Sequence, residues 1–290
     1  MSSILLKRMS SKIKIGGQAV MEGVMMRSKT KYAICVRRPD KKISTKIIKI
    51  KEPKHWFPKL PIIRGFLRFV ETLSIGIKSI SWSALESQGE EDETISNWEM
   101  FLTFAFSIIL TIVLFYAAPL LLTRFILKQP GFLFNLIDGL FRLTIFVLYV
   151  YLISLMPDIR RIYQYHGAEH KTVFCHENKE KLTVKNAQKY STLHPRCGTN
   201  FLLIVFVLSI FFFTFIKVKG YFPRLGLRIL LLPLIAGVSY EFLKFAGDHF
   251  DNPIVKLVAW PGLMMQKITT KEPTDDMVEV AIKSLKAVLD

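Results

Sequence analysis

Between Glu99 and Arg124 the chain runs through 24 consecutive residues, Met100 to Thr123, without a charge. At a helical rise of about 1.5 Å per residue that stretch is long enough to cross a bilayer hydrocarbon core of about 30 Å. Backbone in lipid must satisfy its own hydrogen bonds, so the stretch predicts a transmembrane helix. The same reasoning predicts three further spans, at about 137–156, 201–216 and 225–246. The second must include Asp138 and Arg142, which stand four apart on one helix face and can pair. The fourth has Arg228 near one end and Glu241 with Lys244 near the other.

Composition agrees with this reading. Apolar residues make up 51% of the 290 and mean hydropathy is +0.32, yet the formal charge is +17. A soluble core does not need so much apolar mass, and a disordered tail could not carry it. The two kinds of residue must therefore be segregated into lipid-facing helices and basic flanks. The first long apolar run begins about a hundred residues in, where no cleaved signal peptide is expected. Three Cys, at 35, 175 and 197, are too few and too odd in number for a secreted disulfide framework.

Lys and Arg set the expected orientation, since positive flanks stay cytoplasmic. Residues 1–97, 157–200 and 244–290 hold 33 of them, against 7 elsewhere. Both termini and the segment 157–200 are thus expected on the cytoplasmic side of a bacterial inner membrane. The basic face suits membrane lipid as a partner. A membrane protein complex or a ribosome is the second reading, and no specific nucleic-acid site is visible.

The expected fold class is mainly α: an integral membrane bundle of about four helices with a small N-terminal β-hairpin or sheet. In residues 1–60, alternation predicts strands at Tyr32–Arg38 and Ile43–Ile50 around a turn at Pro39–Lys42, with a third at Ile13–Ile15. A link from Pro53 to Pro61, containing His55, leads into 61–97. There Ile63, Phe66, Leu67, Val70, Leu73 and Ile77 share one helix face, expected either in the membrane interface or against the bundle. The acidic run Glu90–Glu93 marks a solvated loop. Residues 98–246 form the bundle. Residues 247–290 form a C-terminal region, in which a short amphipathic helix after Thr274 reads as an ordinary solvated end.

Four of the six His and two of the three Cys fall in 157–200. If residues 162–174 are helical, His166 and His170 stand one turn apart on one face, the separation two ligands of one metal ion need. With Glu169 they form H-x-x-E-H, the order of the inverted zincin motif, in which two His hold zinc and the Glu activates a water. Gly167 weakens a helix at that turn. A third ligand is required, and His194 and Cys197 stand three apart as a knuckle; Cys175 or His176 could supply a fourth. A filled N/S shell would be structural zinc with no open position. Three readings stay open: a catalytic metal, a structural metal, and no metal, with the residues merely packed at the membrane face. Glu241 is expected in an ion pair with Lys244 or Arg196. The stretch Gly16–Arg27, with Glu22 and Arg27, has no helical period, and its three glycines suggest close backbone approach or a plain turn. Cys35 reads as a small core residue.

Gly16-Gly17-Gln18-Ala19-Val20-Met21-Glu22-Gly23-Val24-Met25-Met26-Arg27, Tyr165–Thr172, His194–Thr199 and Ser239-Tyr240-Glu241 occur together and in this order. The combination resembles the YqhQ-like family of bacterial polytopic membrane proteins, of unknown function, whose members are labelled predicted metal-dependent enzymes. The resemblance covers nearly the whole chain. It implies that residues 16–27, His166, Glu169, His170, His194, Arg196, Cys197 and Glu241 belong to one cytoplasmic-face site. The leading expectation is a divalent metal, zinc, held by His166, His170 and His194 or Cys197, with Glu169 as general base hydrolysing an amide or ester. The alternative is a non-enzymatic scaffold or assembly factor with a structural metal and a basic docking face.

Overall fold

The computed structural model describes residues 15–50, 60–89, 96–129, 131–216, 218 and 221–289. The link through His55, the acidic run Glu90–Glu93 and Ile13 of the expected third strand lie outside them. Four strands form an antiparallel meander in chain order: β1 Gly16–Val20, β2 Gly23–Arg27, β3 Lys31–Arg37 and β4 Ile43–Lys49. β3 and β4 stand where alternation predicts strands. The stretch without a helical period is itself a hairpin, turning at Met21-Glu22 with Glu22 at φ 50°. Its strand character was hidden because β2 is covered on both faces. Val24 and Met26 join one core, Met25 joins another, and the in–out alternation of a half-exposed strand is lost.

The first core lies between the sheet and two helices, α5 (Pro157–Glu177) and α10 (Asp275–Leu289). α10 is no solvated end: Met277, Val278, Ala281 and Leu285 are fully buried. Its apolar stripe finds a partner surface some 240 residues earlier in the chain, a pairing that local periodicity does not reveal. Ser284 Oγ donates to the Ala33 carbonyl at 3.0 Å, and Cys35 packs in this core as expected. On the other face Val20, Ile34 and Val36 pack against Ile75 and Trp82 of α1 (Pro61–Gln88).

α1 buries a stripe of small residues, Gly65, Gly76, Ser79 and Ser83, together with Ile75. Small side chains let it lie close to the sheet and to α8 (Tyr221–Asp248). The broad apolar face read from the sequence stays outside, with Leu67, Val70, Leu73 and Ile77 exposed.

α2 (Asn97–Ile112) starts at a capping box of Ser96 and Glu99 and continues through one π turn, Val113–Ala117, into α3 (Ala118–Ile126). Pro119 has no N–H to give the carbonyl four residues back, and the wider turn relieves the clash there. Among the described residues three helical stretches are long and apolar enough to cross a membrane: Phe101–Ile126, Phe132–Ile153 (α4) and Leu225–Asp248. α7 (Gly198–Thr214), at the third expected span, is apolar but only 17 residues long. The Asp138–Arg142 pair forms at 3.1 Å, and Arg228 of α8 joins the same Asp138 oxygen at 3.3 Å. α6 is one short turn, Val184–Gln188. α9 (Pro253–Thr269) packs beside α7, and Pro261 inside it masks its helical pattern in the sequence.

Candidate metal centre

α5 starts at Pro157, three residues after α4 ends, with proline in the first turn where its missing N–H costs nothing. From Gly167 to Cys175 every residue is buried. A Cβ at Gly167 would lie 2.1 Å from the Lys271 carbonyl oxygen. The residue that weakens the helix is therefore what admits the segment after α9 against α5.

That segment braces the first candidate ligand. His166 Nδ1 meets the Thr269 carbonyl at 2.8 Å, and His170 Nδ1 meets the Thr192 carbonyl. A carbonyl only accepts, so both rings carry their proton on Nδ1 and leave Nε2 as a lone-pair donor. The rings lie one turn apart with centroids 4.4 Å from each other. Cys197, the N-cap of α7, brings its Sγ to 3.2 Å from His166 Nε2. One donor atom from each of His166, His170 and Cys197 falls within 4.8 Å of the other two.

The electrostatics favour ligand forms. Burial holds the His170 ring below its usual pKa, hence neutral, and its Nε2 is buried without a hydrogen-bond partner. Burial by itself would raise the Cys197 thiol. Positive charge on the His170 ring, then the Thr199 hydroxyl and N–H, pull it below its ordinary value, the ring's share acting only while that ring is protonated. Two imidazole nitrogens and an acidified thiol suit a borderline-soft divalent ion such as zinc, and three protein ligands leave a fourth position open.

Glu169 stands beside this cluster, buried, with Oε2 unpartnered. Burial pushes its carboxyl up to about 8, with His166 pulling down and Cys197 pushing further up. β1 lies against it so closely that a Cβ at Gly17 would come 2.7 Å from the Glu169 carboxyl carbon. The Gly-rich hairpin thus closes over the carboxylate. Glu22, in the hairpin turn, accepts from Arg161 and, at 3.3 Å, from the Tyr165 hydroxyl, tying the hairpin to α5 one residue before His166.

The other sequence candidates take separate places. His194 donates from Nε2 to Glu177 at 3.3 Å and accepts the Arg196 N–H on Nδ1 at 3.2 Å. Both ring nitrogens are engaged, so it stands next to the cluster, its ring 5.6 Å from that of His170. Burial first, and then His166, press its pKa down to about 3. Arg196 pairs with Glu177 and so holds His194's partner. Arg27 pairs with Glu71 of α1 at 2.6 Å. Glu241 accepts a fork from Arg64 of α1, at 2.7 and 2.5 Å, in place of the expected Lys244 or Arg196. Cys175 lies in the first core and His176 on the next turn, and neither joins the cluster.

Sequence reasoning missed the parts that orient the ligands. The Thr192 and Thr269 carbonyls leave no trace in a sequence. Gln266, which holds both backbone groups of His194 at 2.7 and 2.8 Å, is one polar residue in a helix that was not foreseen. Glu177 had a signal: it lies two turns after His170 on the same helix face.

Residues 60–290 match the family model described as protein of unknown function (DUF1385). The chain is 36% identical to the uncharacterized protein YqhQ of Bacillus subtilis (strain 168), over 94% of this chain and 92% of that protein. No solved structure matches.

Proposed function

Since the chain belongs to the DUF1385 family, we propose that it is a four-span protein of the bacterial cytoplasmic membrane whose inner face holds a zinc ion on His166, His170 and Cys197. Glu169 acts there as general base in hydrolysis of an amide or ester at the membrane surface. The observation that carries this reading is the convergence of three donor atoms within 4.8 Å, two of them on rings whose far nitrogens are tied to backbone carbonyls. A bound divalent ion supplies a Lewis acid that lowers the pKa of water. The chain's own contribution is orientation and proton handling: Thr269 and Thr192 aim the rings, and the buried Glu169, protonated near neutral pH on its own, would need the positive charge of a bound ion beside it to ionise and take a proton in surroundings that exclude bulk water.

The topology rests on a packing argument. The sheet, α5 and α10 share one core, so all three belong on one side of the bilayer. α2–α3 and α4 lie between the sheet and α5, and α7 and α8 lie between α5 and α10. Gly247, near the end of α8, packs on Arg196, just before α7 begins, so the two helices leave and return at the same face. If α8 crosses, α7 crosses with it, although its 17 residues reach only about 25 Å at helical rise. The 33 inner positive charges orient this face to the cytoplasm.

The test is metal analysis of the intact purified protein. About one zinc per wild-type chain and almost none in a His166→Ala/His170→Ala variant is the expected result. Equal, near-zero metal in both ends the proposal. Glu169→Gln should keep the metal yet abolish wild-type-dependent uptake of ¹⁸O from labelled water into membrane carboxylates.

A second reading is favoured by the burial of His170, Cys197 and Glu169 alike. The ion would then be structural, and the protein a scaffold docking its basic face on a membrane complex or ribosome. In that case Glu169→Gln leaves both metal and function intact.

A further inference from the structure

Where α4 ends, α5 begins and α9 ends, the surface holds a cavity of about 330 Å³, within the size range of small-ligand pockets. Arg160, Lys267 and Lys271 line it, together with Tyr151, Leu155 and Ile268, and no carboxylate does. Among the described residues the side chains of Arg160 and Lys267 make no ion pair, and Lys271 Nζ reaches only the Lys267 carbonyl, at 3.4 Å. Glu272, the acid nearest in sequence to Lys271, is taken by Lys171 at 2.8 Å. Lys267 sits in the last turn of α9, where a cation offsets the helix dipole. That accounts for one of the three charges. Gathering three cations, two of them uncompensated, around one hollow is unfavourable unless an anion fills it.

The shape of the lining narrows the anion. A guanidinium fork beside two ammonium point charges matches the tetrahedral oxygens of a phosphate. The apolar wall, with Tyr151 and Leu155 exposed, continues the outer surface of α4, one of the helices apolar enough to span. A tyrosine at the end of such a helix sits at headgroup level, and a basic hollow between helix ends on the inner side fits a lipid headgroup.

We propose that this cavity binds the phosphate headgroup of an anionic phospholipid of the inner leaflet. Phosphate recognition stands on the cations alone; the lipid as its source rests on the membrane reading above.

The experiment uses the full chain in nanodiscs of phosphatidylcholine doped with phosphatidylglycerol, with retained lipid counted by native mass spectrometry. Wild type should keep phosphatidylglycerol in preference to phosphatidylcholine. Arg160→Gln/Lys267→Gln, at two exposed side chains outside the His–His–Cys cluster, should lower that retention about 30-fold. Its metal content and unfolding midpoint should not change. Glycerol 3-phosphate bound by wild type and not by the variant, with no lipid retained, supports the phosphate site and assigns it to a soluble ester. Equal retention of both lipids, or a variant that binds lipid and ester like wild type, overturns the proposal. A chain that retains phosphatidylglycerol but holds no zinc would defeat the metal reading and leave this one standing.

Discussion

Around the sheet, Val24, Met26, Ala33 and Leu285 are fully buried, while at the rim Arg37 meets Glu279 and Lys283 meets the Ile43 carbonyl. Among α2, α3, α4 and α8 the arrangement is reversed: Asn135, Asp138 and Arg228 lie inside, while Phe106, Phe125 and Leu230 face out, exposed by 67%, 91% and 74%. One chain thus follows two opposite rules of burial. Each half hides what its own surroundings solvate worst or what only another protein group can satisfy, which is water's rule for the first and, on the proposed membrane reading, hydrocarbon's for the second.

Four substitutions or titrations would break or sharpen that contrast. Asp138→Leu strands the buried guanidinium of Arg228 and the half-buried one of Arg142. It should cost about 3–5 kcal/mol in SDS-induced unfolding from mixed micelles, and a loss under 1 kcal/mol would mean the polar cluster is solvated. Leu285→Ala, in the water-type core, should cost about 3 kcal/mol, read from the midpoint of denaturant unfolding. The third concerns His194, whose folded pKa of about 3 lies below its usual value. The unfolded chain takes up this proton first. Stability from the neutral ring is therefore complete above about pH 6.5 and falls by about 1.4 kcal/mol per unit as pH drops toward 3. His194→Gln should flatten that slope, and an unchanged slope assigns it to other groups. The smallest effect is expected for Leu230→Ala, on the outer face of α8. A change under about 0.5 kcal/mol is expected, and a loss as large as at Leu285 would put a protein partner, not lipid, on that face.

What the sequence made legible follows distance along the chain. His166 and His170, the Asp138–Arg142 pair and the long apolar helices are local features, fixed by helical spacing, and the structure contains all of them. Cys197 was reachable because it shares a knuckle with His194, but nothing in that spacing tells which of the two faces the imidazoles. Arg228 meets Asp138 from 90 residues away, Arg64 claims Glu241 from α1, and α10 covers the sheet from the far end of the chain. These contacts depend on tertiary packing, which leaves only a donor or an apolar stripe in the sequence and no address for its partner. Gly17 and Gly167 are the intermediate case. Each marks a close approach, and only coordinates name what approaches: the Glu169 carboxyl in one case and the Lys271 carbonyl in the other.

The position of α10 bears on the order in which the molecule can be made. The sheet precedes α10 by most of the chain, and one of its faces stays only partly covered, by α5, until α10 has been translated. At about 5–20 residues per second, the roughly 230 residues between β4 and α10 take on the order of 10–50 s. Throughout that interval Val24, Met26, Ala33 and Cys35 lack the cover that α10 gives them. The sheet's core therefore closes only once α10 has emerged, and with it the segment Thr269–Lys271 that meets His166 and Gly167. The His166–His170–Cys197 cluster cannot take its final form before α10 has been made.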